Sequence, residues 1–181
     1  MIDLEHVDAF AAYAHRNQKR NTGDATAPEV PYIIHPRAVR DVLLLEHPDE
    51  LLHQPEFLAM ALLHDVLEDC EVHQSEITEK FGAEVCAGVR VLSKQLRMEP
   101  RAVKSDEQYW AVLANAPLPL RQIKAADRID NLRSCLRWPR EKLARKYLVE
   151  TPQKLLPLIV DDPFAYATLA DLLAQMRRAY S

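Results

Sequence analysis

Three observations predict an all-α fold, compact and built of many helices. Only three glycines occur in 181 residues, which leaves few positive-φ positions for hairpin turns. No segment sustains period-two alternation with β-branched enrichment. Apolar residues recur instead at helical spacing, beginning with Leu4, Val7, Phe10, Ala11 and Ala14.

That first amphipathic helix is predicted to run to about Arg20. The following stretch, NTGDATAPEVPY, reads as a loop because Gly23, Pro28 and Pro31 break any helix. Pro36 suits a first helical position, so RAVRDVLLLEH is the second helix and His35 is held at its entrance. A turn around Pro48 to Pro55 leads to one apolar helix that includes ALLHDVLEDC, residues 61–70. Ser75 is the expected N-cap of EITEKF, Gly82 stops that turn, and AEVCAGVRVLSK continues helically. Residues 95–105, polar and mixed in charge, read as a mobile loop. DEQYWAVLANA is then a helix ended by Pro117, and the next, from about Leu118 to Arg137, stops at Trp138-Pro139. Two further helices fall around REKLARKYLVE and DPFAYATLADLLAQMRRAY, where Arg177 and Arg178 complement the dipole of the last turn.

With 48% hydrophobic and 28% charged residues, the chain suits a single globular domain over residues 1–181. Its net charge of −4 and lack of a basic run argue against nucleic acid as a partner. Cys70, Cys86 and Cys135 form no CxxC or zinc spacing and read as reduced cytosolic thiols, small hydrophobes. The acidic start MIDLEHVDAF is no signal peptide, and no apolar run approaches the ~20 residues of a membrane span. A cytoplasmic protein with no membrane association is expected.

ALLHDVLEDC sets four ionisable side chains against nearly unbroken hydrocarbon. On a continuous helix His64, Asp65, Glu68 and Asp69 fall at about 0°, 100°, 40° and 140°, one shared face. Carboxylates buried there need a compensating positive charge. Further along, Asp127 and Asn131 are one turn apart, flanked by Lys124 and Ser134. Imidazole and carboxylate ligands without thiolates suit Mn²⁺, Fe²⁺ or a catalytic zinc. The pair His64-Asp65, with one histidine and one aspartate from elsewhere, would leave coordination positions open. Glu68 and Asp69 are then the candidates to orient a water or take its proton.

AHRNQKR at residues 14–20, PYIIHP at 31–36, ALLHDVLEDC at 61–70 and KAADRIDNL at 124–132 together resemble the HD superfamily of metal-dependent phosphohydrolases. Within it the chain is similar to the hydrolase domain of RelA/SpoT type, including small stand-alone alarmone hydrolases. FGAEV and LSK fit between the blocks, and the likeness spans roughly residues 4 to 160. It implies that His35, His64, Asp65 and Asp127 bind a Mn²⁺-like ion, and that Glu68 and Asp69 ready the attacking water. It also implies that Arg20 lies against a guanine base, with Lys94, Asn131 and Ser134 near the nucleotide. Arg20 has a second reading as the cationic end of its helix.

The implied reaction removes pyrophosphate from the 3′ position of ppGpp or pppGpp, leaving GDP or GTP. Asp130 stands where long members of that family often carry histidine, and DEQYWAVLANA lacks the basic residues of the corresponding helix. These departures touch phosphate and base contacts and leave open a phosphatase for another nucleotide such as NADPH. A catalytically silent nucleotide sensor is the other alternative, opposed by the intact Glu68 and Asp69. With Ser181 as its last residue, the chain is expected to have no synthetase or regulatory domain. His6, His15, His47, His53 and His73 read as surface or capping histidines.

Overall fold

The computed structural model describes residues 2–20 and 30–180 and is helical nearly throughout. Helix α1, Leu4–Ala14, is capped by Asp3, whose carboxylate accepts the Glu5 and His6 N–H groups at 3.0 and 3.3 Å. It stops short of the predicted end near Arg20. Beyond Ala14 the side chains of His15 and Gln18 bond each other at 2.8 Å, and the Arg16 guanidinium returns to the Tyr13 carbonyl. The chain then enters strand β1, Lys19–Arg20, paired antiparallel with β2, Val30–Pro31. Arg20 is thus a buried strand residue, and its reading as a helix-end charge is overturned. Most of the loop expected before PYIIHP, residues 21–29, lies outside the described residues.

Helix α2, Ile34–Asp41, carries His35 and Pro36 in its first turn, where the missing proline N–H costs no hydrogen bond. A π-turn, Val42–Glu46, and a 3₁₀ turn, Glu50–His53, lead to α3, Pro55–Leu63, whose residues 58–63 are all buried. The continuous helix predicted across His64-Asp65 is broken there, and α4 resumes at Val66–Asp69. His64 Nδ1 donates to the Ala61 carbonyl at 2.7 Å. That oxygen is the acceptor an unbroken helix would offer to the Asp65 N–H. The helix restarts on the Asp65 carbonyl, which accepts from Asp69 N–H at 2.9 Å.

Helix α5, Gln74–Phe81, starts at His73 rather than at the predicted Ser75, with the His73 N–H on the Glu76 carboxylate at 3.0 Å. Gly82, at φ 93°, turns the chain into α6, Ala83–Leu92. The loop expected over residues 95–105 is instead largely a hairpin, β3, Gln95–Leu96, with β4, Glu99–Val103. Leu96 is buried, and the Arg97 N–H reaches the Leu67 carbonyl at 2.8 Å, hanging the hairpin on α4. Strands this short show no alternation to read. Helix α7, Asp106–Ala114, is capped reciprocally by Ser105 and Gln108.

Helix α8, Leu118–Arg137, runs through the middle and packs on α2, α3, α9 (Glu141–Glu150) and α10 (Pro163–Ala179). Leu62, Leu63, Leu67, Ile123, Ile129 and Leu132 fill the core between them. The three cysteines are free, and all are buried. His15 and His47 are interior, contrary to expectation. His47 Nε2 donates at 2.7 Å to Asp162, which also caps α10 through the Ala165 N–H at 3.0 Å. Among the described residues no helix is long and apolar enough to cross a membrane.

Candidate active site

Three elements deliver the predicted ligands to one place. The first turn of α2 gives His35, the break between α3 and α4 gives His64 and Asp65, and the middle of α8 gives Asp127. His35 Nε2 lies 3.1 Å from Asp127 Oδ1 and 3.6 Å from Asp65 Oδ2. His64 Nε2 lies 3.2 Å from Asp65 Oδ2 and 3.9 Å from Asp127 Oδ1. Ligand atoms of His35, His64 and Asp127 all fall within 4.8 Å of one another. His64 and Asp65 stand at the helix break, and both present side-chain atoms to this centre.

This donor set fits a divalent cation. With one hydrogen on Nδ1, held by Ala61, His64 aims Nε2 at the centre, and that buried atom has no hydrogen-bond partner, so it is the nitrogen that would give its lone pair to a cation. Burial alone would lower the His64 pKa, but Asp65 and Asp127 overcome it and push it up to about 9. Against the cost of burial, Lys124 and the two histidines hold the Asp127 carboxyl well below the usual range. The pocket attracts positive charge.

Glu68 and Asp69 follow on α4. Glu68 Oε2 accepts the Lys94 N–H at 2.7 Å, and burial raises its pKa. Burial, then the Asp65 and Glu68 charges, push Asp69 up to about 6. The Tyr32 hydroxyl donates to Asp65 Oδ2 at 2.6 Å and lies 3.5 Å from Asp69 Oδ2.

A cleft of about 250 Å³ opens over the centre, lined by His35, Asp65, Glu68, Lys94, Asp127 and Asn131 but by neither His64 nor Asp69. Tyr109, Trp110 and Tyr147 line it too, and Lys124 and Lys146 add positive charge. A larger hollow, about 400 Å³, lies beside Asp69 and Cys70. Convergence of titratable groups, rather than size, singles out the smaller one.

The other predicted contacts are distributed unevenly. Lys94 lines the cleft with its ammonium on Asp106. Asn131 Nδ2 donates to Asp127 Oδ1 at 2.5 Å. Arg20 sits behind the wall, bonded to Asp130 at 2.7 Å and to Asn131 Oδ1 at 3.2 Å. Ser134 is buried, its hydroxyl accepting from Arg140 at 2.9 Å. Tyr32 and the Lys124 bond to Asp127 escaped the sequence reading. The tyrosine lies three residues before His35 and the lysine three before Asp127, both at spacings that bring side chains together on a helix or its entrance.

The family model described as HD domain matches residues 9–153. The chain is 33% identical over 158 residues to a guanosine-3′,5′-bis(diphosphate) 3′-pyrophosphohydrolase of Aquifex aeolicus (strain VF5), a match covering 86% of this chain and 21% of that protein. A protein of the same name from Vibrio cholerae serotype O1 is 35% identical over 136 residues, 72% of this chain and 18% of that one. A GTP pyrophosphokinase of Streptomyces coelicolor is 36% identical over 146 residues, 79% and 16%. The chain therefore spans about a fifth of the length of these curated relatives. Among solved structures, a metazoan ortholog of SpoT that hydrolyzes ppGpp and plays a role in starvation responses matches with TM-score 0.75. That match is 26% identical and covers 94% of this chain and 93% of the other.

Proposed function

The chain belongs to the HD domain family, and on that premise we propose that it is a metal-dependent phosphohydrolase that removes the 3′-pyrophosphate of ppGpp or pppGpp, leaving GDP or GTP. The observation that carries this reading is the meeting of His35, His64 and Asp127 within 4.8 Å, in a cleft that Glu68 also lines. The hydrolase names of the relatives and the TM-score of 0.75 with the ppGpp-hydrolysing ortholog support the substrate.

In this reading His35, His64, Asp65 and Asp127 hold Mn²⁺, which when bound polarises a phosphoryl oxygen and acidifies water. The remaining chemistry belongs to side chains of this chain. Glu68, fixed at one oxygen by the Lys94 N–H, orients and deprotonates the attacking water. Asp69, with its pKa near 6, takes up or returns the proton close to neutral pH. Lys94 and Asn131 meet the nucleotide from the cleft wall. Arg20 bears on it through Asn131, whose amide oxygen it binds. Ser134 acts from beside Arg140. We read residues 1–181 as one domain, acting on a small nucleotide in the cytoplasm and on neither nucleic acid nor membrane.

The test is a substrate panel of ppGpp, pppGpp and NADPH with added Mn²⁺, resolving pyrophosphate from orthophosphate. Pyrophosphate with GDP or GTP is expected. Orthophosphate from NADPH with inert ppGpp would overturn the alarmone reading in favour of a phosphatase. Binding without turnover would make the chain a sensor.

A further inference from the structure

We propose that Asp130 is a positioning residue that steers His35 and ties it to Arg20 as one unit. A single oxygen, Asp130 Oδ2, accepts from His35 Nδ1 at 2.6 Å and from Arg20 at 2.7 Å. A carboxylate oxygen only accepts, so the hydrogen of His35 is fixed on Nδ1. Nε2 is thereby the nitrogen turned to the site, 3.1 Å from Asp127 Oδ1, and the one that would give its lone pair to a cation displacing that contact. His35 is 1% exposed at its side chain and Arg20 5%, so neither has water as an alternative partner.

The arrangement follows from the period of α8. Asp127, Asp130 and Asn131 stand at i, i+3 and i+4 and share one face. One helix therefore supplies a ligand candidate and the group that orients a second candidate on α2. It also supplies the amide that Arg20 braces from β1. The guanidinium is the cationic partner of this partly buried carboxylate. Arginine at this position is thus occupied with the ligand framework, whatever it contributes to a nucleotide.

This inference rests on the metal reading of the cleft, and its test is built so that the two fail separately. Asp130→Asn keeps shape and removes the charge. In the metal-free protein, the His35 Nδ1 proton of the wild type should resonate far downfield and exchange slowly. In Asp130→Asn it should move upfield and exchange faster. Competition titration with Mn²⁺ should then show a loss of about 10- to 100-fold in affinity, the scale of a removed outer partner of a ligating histidine. Asp130→Glu should recover part of it. An unchanged His35 resonance, or an affinity within two-fold of wild type, would overturn the proposal. A wild-type protein that binds no divalent ion would instead sink the metal reading, and the resonance would still decide the role of Asp130. Should Asp130→Asn fail to fold, Asp130→Glu carries the same two measurements.

Discussion

The ammonium of Lys124 lies 2.7 Å from Asp127 Oδ2, one turn earlier on α8, while the other oxygen of that carboxylate faces His35 and His64. Lys124 thus neutralises one oxygen of Asp127, while the other, held by the Asn131 amide, faces the two histidines. Replacing it by methionine leaves a nearly buried carboxylate without its cation. Lys124→Met should cost about 3 kcal/mol or more in the metal-free protein. Saturating Mn²⁺ should restore most of that loss, since the ion binds only the folded state. Thermal melts with and without metal check this; equal destabilisation in both would contradict it.

Glu68 is fixed by the Lys94 N–H and lines the cleft. Glu68→Gln can keep that hydrogen bond through its amide oxygen and should keep fold and metal. Turnover should drop by about 10²- to 10⁴-fold, the scale of a removed acid–base group. A rate within a few-fold of wild type would move the role to Asp69.

His64 has its pKa pushed up to about 9 in the metal-free site. The folded value lies above the unfolded one, so this group's stabilisation is full below about pH 6.5 and is lost as pH rises through 9. A divalent ion replaces that proton. Metal binding at pH 7 should therefore release about one proton from His64. Calorimetry in buffers of different ionisation enthalpy measures it, and a buffer-independent heat would refute it.

Asp162 caps α10 and accepts from His47. Burial opposes its charge, but these hydrogen bonds outweigh burial and hold its pKa below the ordinary value. Its contribution is present above the unfolded carboxylate pKa of about 3.9 and is lost as pH falls through the lower folded value. Asp162→Ala should cost about 2 kcal/mol at neutral pH, and its deficit against wild type should shrink in acid. Denaturant melts at neutral and acid pH test both parts.

The structure brings His35, His64, Asp65 and Asp127 together, as the resemblance implied, whereas the residues themselves pointed only to His64-Asp65 with one histidine and one aspartate from elsewhere. The helices were legible from their apolar period. The break at His64-Asp65 was not, because apolar spacing runs straight through it and only a side-chain bond to Ala61 interrupts the backbone ladder. Arg20 was misplaced because its strand is defined by pairing with Val30, ten residues on. Asp130 was visible as a departure, but a departure does not reveal its partners, which come from β1 and α2.

The hairpin hung on α4 turns two amides into gauges. The Lys94 N–H ends on the Glu68 carboxylate and the Arg97 N–H on the Leu67 carbonyl, one residue apart on the same short helix. Amide hydrogen exchange at Lys94 then times how often Glu68 leaves its seat, while Arg97 times how often the hairpin lifts away. The ratio of the two rates separates motion of one side chain from motion of the whole arm, without substrate and without mutation.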